Sequence, residues 1–416
     1  MTSKPDHLER TAAEPRDKSL NTVVLRHIEE VNDTARIFRL EIPRGSPPIR
    51  SSTIAFTNRV KSAGWNNVVL GFGDVPISPI DSSSLSSPAV SAAMFLPGQW
   101  LDVYVPGVER AGGFTITSTP RDARLPHPPL PPSSSTTHES SPAAATFSSS
   151  SSHDGSSAAT TTPGGGGGPY LELAVQRSPE SPSAAWLWRS PADAILGSEL
   201  RVRVGGGFVF PPPGVNVRAL RRVVFVAGGM GVNPLVSMLG SLLSPASAST
   251  PPGFEVHFLY SLRDNNPGDE RRRRRRRRAR DMLFVERIAR LFREGKVKGR
   301  FQVFLTAGTD KEEKEEEEEE GVERRGQGED GEIICGEEDG YGGDGKGDLY
   351  TVPFHPRRCT VDGDVAEAVG APAERRLAVV YVCGVPTMTD EFVARLTDRE
   401  HGLGMDPHRV LCEKWW

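Results

Sequence analysis

Gly228, Gly229 and Gly231 close an apolar, β-branched run and stand just ahead of Pro234, in the stretch VFVAGGMGVNPLVSM at 224–238. Glycine at such a turn admits a positive φ and lets an anion approach backbone N–H groups at a helix start. The chemistry this suits is phosphate binding. A dinucleotide fingerprint would place its third glycine at 234. Proline there suits the first helical turn instead, where its missing N–H costs nothing and its fixed φ favours the helix. Met230 and Asn233 complete the loop. A glycine turn that serves packing alone is the other reading of the motif.

Two further groups carry similar chemistry. Ser183 opens SAAWLW at 183–188, where a serine N-cap and free amides suit a pyrophosphate or simply cap a short helix. Ser261 and Arg263 end the next β-branched run. An acid at that place binds a ribose 2′-OH and an arginine suits a 2′-phosphate. Arg263 beside Asp264 leaves that code ambiguous.

These residues need elements to hold them. Before residue 210 the ordered pieces are short alternating or β-branched runs at 22–27, 37–42, 100–105, 114–118, 171–176 and 199–204, separated by Gly and Pro. That pattern predicts a small antiparallel barrel. After 220 strands alternate with helices: 223–226 with 234–243, 255–260 with 281–294, then 301–305, a helix around 364–369, a strand at 377–382 and a helix at 388–399. Such alternation predicts a parallel, doubly wound sheet, which binds ligands at the carboxyl ends of its strands. The expected fold is an N-terminal antiparallel β-barrel followed by an α/β domain. A disordered tail takes 1–20, the barrel 21–210 and the α/β domain 220–416.

Composition sets the limits. The chain has 416 residues, with Gly 43, Pro 35 and only 37% hydrophobic residues, too polar for one compact body throughout. Low-complexity segments at 43–92, 121–168, 264–280 and 310–348 read as insertions that cannot bury enough apolar surface to offset their ordering entropy. They leave a core of roughly 250–270 residues, a two-domain length. A net charge of -4 shows no global basic excess. The eight arginines at 271–278 could bind nucleic acid or an anionic membrane, but the glutamate run at 315–320 can neutralise them. A solvated insertion is the preferred reading. Cys335, Cys359, Cys383 and Cys412 lack the spacing of a disulfide framework or zinc site. No apolar run approaches the ~18 residues of a membrane span. Asp6, Glu9, Glu14 and Asp17 are unlike a transit or signal peptide.

The order of barrel, Gly-Gly-x-Gly-x-x-Pro loop and CGVPTM at 383–388 resembles the ferredoxin–NADP reductase family of flavoproteins. GGFTITSTP at 112–120 is similar to its flavin motif, usually Arg-x-Tyr-Ser/Thr, and the ending EKWW to the aromatic C-termini that cover the flavin. The resemblance spans essentially everything outside the four insertions.

It implies an FAD-dependent NAD(P)H oxidoreductase, with hydride passing from NADH or NADPH to a barrel-held flavin. Phe114 would pack on the isoalloxazine, Thr115 would hydrogen-bond it, and Ile116 and Thr117 would continue the contact; a plain β-strand is the other reading of these residues. The family arginine falls at Gly112, so phosphate binding must come from elsewhere, with Arg110 and Arg121 nearby, and FMN stays open beside FAD. Ser183 would serve the second flavin segment. Cys383 would stand beside the nicotinamide, with Gly384, Pro386 and Met388 forming the loop there; a structural thiol is the alternative. Glu413 would be a proton relay or a surface glutamate. Trp415 or Trp416 would stack on the flavin or dock on the core. With no cysteine cluster and no haem motif, the electron acceptor is a separate molecule or partner protein, and no metal ligand set is expected. The resemblance implies mitochondria; the N-terminus reads as no presequence, which leaves the cytoplasm as the other expectation. The rival class is a non-catalytic binding protein with a degenerate reductase fold, whose charged insertions recruit partners or RNA, and Gly112 favours it.

Overall fold

The computed structural model describes residues 6–46, 49, 95–124, 168–243, 253–264, 277–307, 331–336 and 349–415. Two sheets organise them. The first contains β1 (Asn21–Asn32), β2 (Ala35–Glu41), β3 (Trp100–Tyr104), β4 (Gly112–Thr115), β5 (Tyr170–Gln176) and β6 (Glu199–Gly205), in the order β4-β3-β6-β1-β2-β5. All its pairings are antiparallel. An antiparallel bridge between Ile116 and Leu173 joins the two edges, and Thr117 N–H donates to the Glu172 carbonyl at 2.8 Å. Closure into a barrel leaves these edges paired. Val23, Leu25, Phe38, Leu40, Leu101 and Val202 fill the interior.

The second sheet contains β7 (Arg222–Gly228), β8 (Glu255–Asp264), β9 (Arg277–Arg278), β10 (Gly299–Ala307), β11 (Gly331–Cys335), β12 (Tyr350–His355), β13 (Ala378–Gly384) and β14 (Val410–Lys414). Its order is β14-β13-β7-β8-β10-β12-β11-β9, parallel from β14 to β12, with β11 antiparallel to β12. Alternate residues face opposite layers. Phe225, Phe258 and Val303 pack with helices α3 (Val232–Ser241) and α4 (Val285–Arg293). Val224, Leu259 and Phe304 pack with α5 (Ala366–Val369) and α6 (Pro386–Thr397). The fold is a barrel followed by a doubly wound sheet. The remaining helices are α1 (His7–Arg10) and α2 (Pro182–Leu187).

Three expectations need correction. The tail 1–20 is not disordered over its described part: α1 carries a capping box between Asp6 and Glu9, and Arg16 bridges Gly205. Its anchor is Asp102, fully buried, which takes His7 Nε2 at 2.9 Å, Arg16 Nε at 3.2 Å and Arg203 Nε at 2.8 Å. Burial alone would raise that carboxyl, but bonds from His7 and Arg203 hold it below its ordinary range. The span 310–348 contains β11, because Ile333 and Cys335 alternate into the core. The span 264–280 contains β9, and the helix expected at 281–294 begins only at Val285. The rest of the four insertions lies largely outside the described residues.

Candidate functional site

The glycine loop sits where a parallel sheet binds ligands. β7 ends in Gly228, one tight turn covers Gly229–Gly231, and α3 begins at Val232 with Pro234 in its first turn. Of the three glycines only Gly229 has a positive φ, +52°, with open space where a side chain would go. Gly231 has φ -62°, so conformation does not demand glycine there. Packing does: a Cβ at Gly231 would collide with the Cys383 carbonyl and lie 2.7 Å from Gly384 N. A Cβ at Gly228 would lie 2.6 Å from Met388 Sδ, and one at Gly384 would lie 3.4 Å from Gly228 Cα. The ends of β7 and β13 therefore meet glycine on glycine, with Met388 of α6 beside them. Pro386 opens that helix, and Met230 is half-buried against the core.

β14 adds the C-terminal groups. Glu413 stands in register with Cys383. Trp415 N–H donates to the Gly384 carbonyl at 3.0 Å, and its Nε1–H to Glu413 Oε2 at 3.2 Å. Glu413 keeps some solvent access at the sheet end, yet desolvation around its carboxyl, with Glu14 as a like charge, raises its pKa to about 8. Cys383 is fully buried; burial first, then the Glu413 charge, pushes its thiol well above the ordinary range. A thiol so held stays protonated and is a poor nucleophile. Trp415 is half-buried and packs against the α/β core. Trp416 lies outside the described residues.

The second strand of the sheet brings Ser261 beside Gly228. Arg263 is exposed two residues further on, while Arg277 Nη2 donates to Asp264 Oδ2 at 2.6 Å. Asn233 is turned away from the loop: it is buried, and its Nδ2 donates to the Ala174 carbonyl of β5 at 3.0 Å.

The flavin-like motif occupies β4 and the residues after it. Phe114 is half-buried against the barrel core. A Cβ on Gly112 would lie 2.6 Å from the Phe114 ring and 2.7 Å from Ser183 Cβ, so an arginine does not fit there as the chain stands. The ring of His7 packs on Gly113, where a Cβ would collide with it. Thr115 is buried, and the side chains of Ile116 and Thr117 are fully enclosed; Thr117 Oγ1 donates to Glu172 Oε1 at 3.0 Å. Ile116 and Thr117 are therefore core and scaffold, correcting the expectation of a continued ligand contact. The N-cap of α2 is Ser181, not Ser183. Ser183 is buried in the first turn and its Oγ donates to the Arg110 carbonyl at 3.1 Å.

The structure thus gathers two groups. Gly228, Gly231, Cys383, Gly384, Met388, Glu413 and Trp415 meet at the carboxyl ends of β7, β13 and β14. Gly112, Phe114 and Ser183 meet on the barrel. Helix α3 links the barrel to the glycine loop, through Asn233 and through Ser237 Oγ, which donates to the Ser118 carbonyl at 2.7 Å. Sequence reasoning missed His7, which meets Asp102, and Glu172, which meets Arg39 and also Arg287 of α4; these partners are far apart in the chain and carry no local signal. Among the described residues no group of three or more His, Cys, Asp or Glu could hold a metal ion, and no helix is long and apolar enough to cross a membrane.

No family model matches the chain. It is similar to oxidoreductase NAD-binding domain-containing protein 1 of Bos taurus, 25% identical over 331 residues, covering 77% of this chain and 72% of the relative. The Homo sapiens protein of that name is 23% identical over 327 residues, covering 77% and 71%. Solved structures of similar fold include the Amycolatopsis cytochrome P450 reductase GcoB, 16% identical with a TM-score of 0.47, covering 95% of this chain and 69% of that one. A ferredoxin NADP+ reductase of Neisseria gonorrhoeae with bound FAD and NADP is 11% identical with a TM-score of 0.43, covering 96% and 100%.

Proposed function

We propose that this chain is an FAD-dependent NAD(P)H oxidoreductase that passes electrons to a separate acceptor. The observation that carries the reading is the junction of Gly228, Gly229 and Gly231 with Cys383 and Gly384 at the carboxyl ends of adjacent parallel strands. Such a crevice is where α/β sheets take nucleotides. The names of the curated relatives point the same way. The open space above Gly229, left by its positive φ, fits a phosphate on the backbone of this turn.

A nicotinamide bound there would supply the hydride and a barrel-held flavin would receive it. The chain's own residues bind, orient and manage protons. Gly384 and Met388 would shape the nicotinamide side, and Cys383 would press its neutral thiol against that wall. Glu413, its pKa raised to about 8 by burial, would hold a proton at neutral pH while its Oε2 accepts from Trp415. Phe114 would face the flavin, and Thr115 supports it as a positioning residue. The phosphate contact falls to groups near Ser183, Arg110 among them. Pairing of Asp264 with Arg277 leaves Arg263 to meet a ribose 2′-substituent, which favours NADPH.

Purified protein should be yellow and should bleach with NADPH or NADH under argon. Colourless protein that neither takes up added FAD nor oxidises either nucleotide would instead support the non-catalytic reading, which the crowding at Gly112 favours.

A further inference from the structure

Glu172 lies in the middle of β5, on the barrel, yet its carboxylate reaches the α/β half. Oε1 accepts from Arg287 Nη1 of α4 at 2.7 Å and from Thr117 Oγ1 at 3.0 Å, while Oε2 accepts from Arg39 Nε at 3.1 Å. Its backbone grips the same segment. Glu172 N–H donates to Ser118 Oγ at 2.9 Å, and its carbonyl accepts from Thr117 N–H at 2.8 Å. The Ser118 carbonyl in turn accepts from Ser237 of α3. Residues 117–118 are therefore held from both halves, two residues beyond Thr115.

The side chain is only 3% exposed. Burial would raise its carboxyl, but the charges of Arg287 and Arg39 hold it low; Arg287 is raised in turn. A buried ionic cluster of this kind brings little net stability over apolar packing of equal volume. What it supplies is direction: Arg287 holds Oε1 and Arg39 holds Oε2, so charge-assisted bonds from two elements fix the orientation of the carboxylate.

We propose that Glu172 is a positioning residue: its clasp with Arg287 fixes the segment that follows Phe114 and Thr115 against the α/β half. On the functional reading above, it thereby sets the spacing between the two bound rings. Hydride transfer needs the reacting atoms about 3–3.5 Å apart, and a displacement of ~1 Å costs on the order of a hundredfold. A clasp three residues from Phe114 is close enough to govern that spacing.

The test uses the full chain with Glu172→Gln, and Arg287→Lys as a milder variant that keeps the charge and loses the guanidinium that makes the Nη1 bond. Flavin content, the rate of flavin reduction by NADPH in single turnover, and the nicotinamide KM are measured. Hydrogen exchange of the amides at 116–118 is followed in protein without added nucleotide. The expected result is unchanged flavin content, a reduction rate lowered at least about tenfold, a KM moved less than about threefold, and faster exchange at 116–118. The double variant should lose no more than the worse single one, because the two groups act as a unit. An unchanged rate overturns the proposal even if exchange quickens, as does a rate that falls only in proportion to lost flavin. If wild-type protein neither holds flavin nor oxidises NADPH, the functional reading fails. Exchange at 116–118 then decides the clasp by itself, and no change there sinks it.

Discussion

Gly231 rests directly against the carbonyl of Cys383, and this contact joins the glycine loop to the central strand of the candidate site. The atoms opposing a new Cβ belong to backbone, which cannot swing aside as a side chain can.

Gly231→Val should therefore fail to fold, or melt far below wild type, and does not serve as a selective probe of nucleotide binding. Gly229→Ala is the informative change. Space is open, and the cost is the left-handed backbone, about 1–2 kcal/mol for a residue with a Cβ. Thermal denaturation should show a folded protein a few degrees less stable, and steady-state kinetics a raised nicotinamide KM. A stable, fully active Gly231→Val would show that the contact is not as close as described.

Glu413 makes stability depend on pH in an unusual direction. Its folded pKa, about 8, lies above the ordinary 4.5. Between those values the folded chain holds a proton that the unfolded chain has released. Stability from this group therefore declines as pH rises from about 4.5 to about 8 and is level beyond. Melting curves at pH 6 and pH 8.5 should show a loss in wild type that Glu413→Gln reduces. Equal losses in the two proteins would place the carboxyl in ordinary solvent.

The Asp102 cluster should behave as a buried ion network. Asp102→Asn leaves Arg16 and Arg203 facing an uncharged group and should cost about 3–5 kcal/mol in denaturant unfolding. Its folded pKa is depressed, so its contribution is present above the unfolded pKa and is lost as pH falls through the folded one. A loss under about 1 kcal/mol, the value of a surface pair, would mean that the N-terminal segment is only loosely docked.

Arg263 can be tested by comparison of two substrates. Arg263→Ala should raise the KM for NADPH roughly tenfold, about the effect of one charge-assisted contact, and leave that for NADH nearly unchanged. Parallel changes for both nucleotides would assign Arg263 no part in reading the 2′-position.

Period and punctuation carried the architecture by themselves. Alternating runs broken by Gly and Pro mark the barrel, and strand-helix alternation after residue 220 marks the doubly wound sheet, because both patterns are local. The glycine loop and CGVPTM were legible for the same reason, each being a strand end followed by a helix start. Tertiary structure decided what each residue does there. Gly229 is needed for its own positive φ, whereas the need for glycine at 231 comes from the Cys383 carbonyl of a strand some 150 residues away. Asn233 and Thr117 looked like ligand contacts and instead tie the barrel to α3 and to Glu172, since their partners come from other strands. Strand β11 hid in an acidic, glycine-rich span, where Ile333 and Cys335 are too few to announce a strand until β12 pairs with it. The N-terminal segment reads as a polar tail because its anchor is one buried carboxylate, Asp102, and the charges that meet there are scattered from His7 to Arg203.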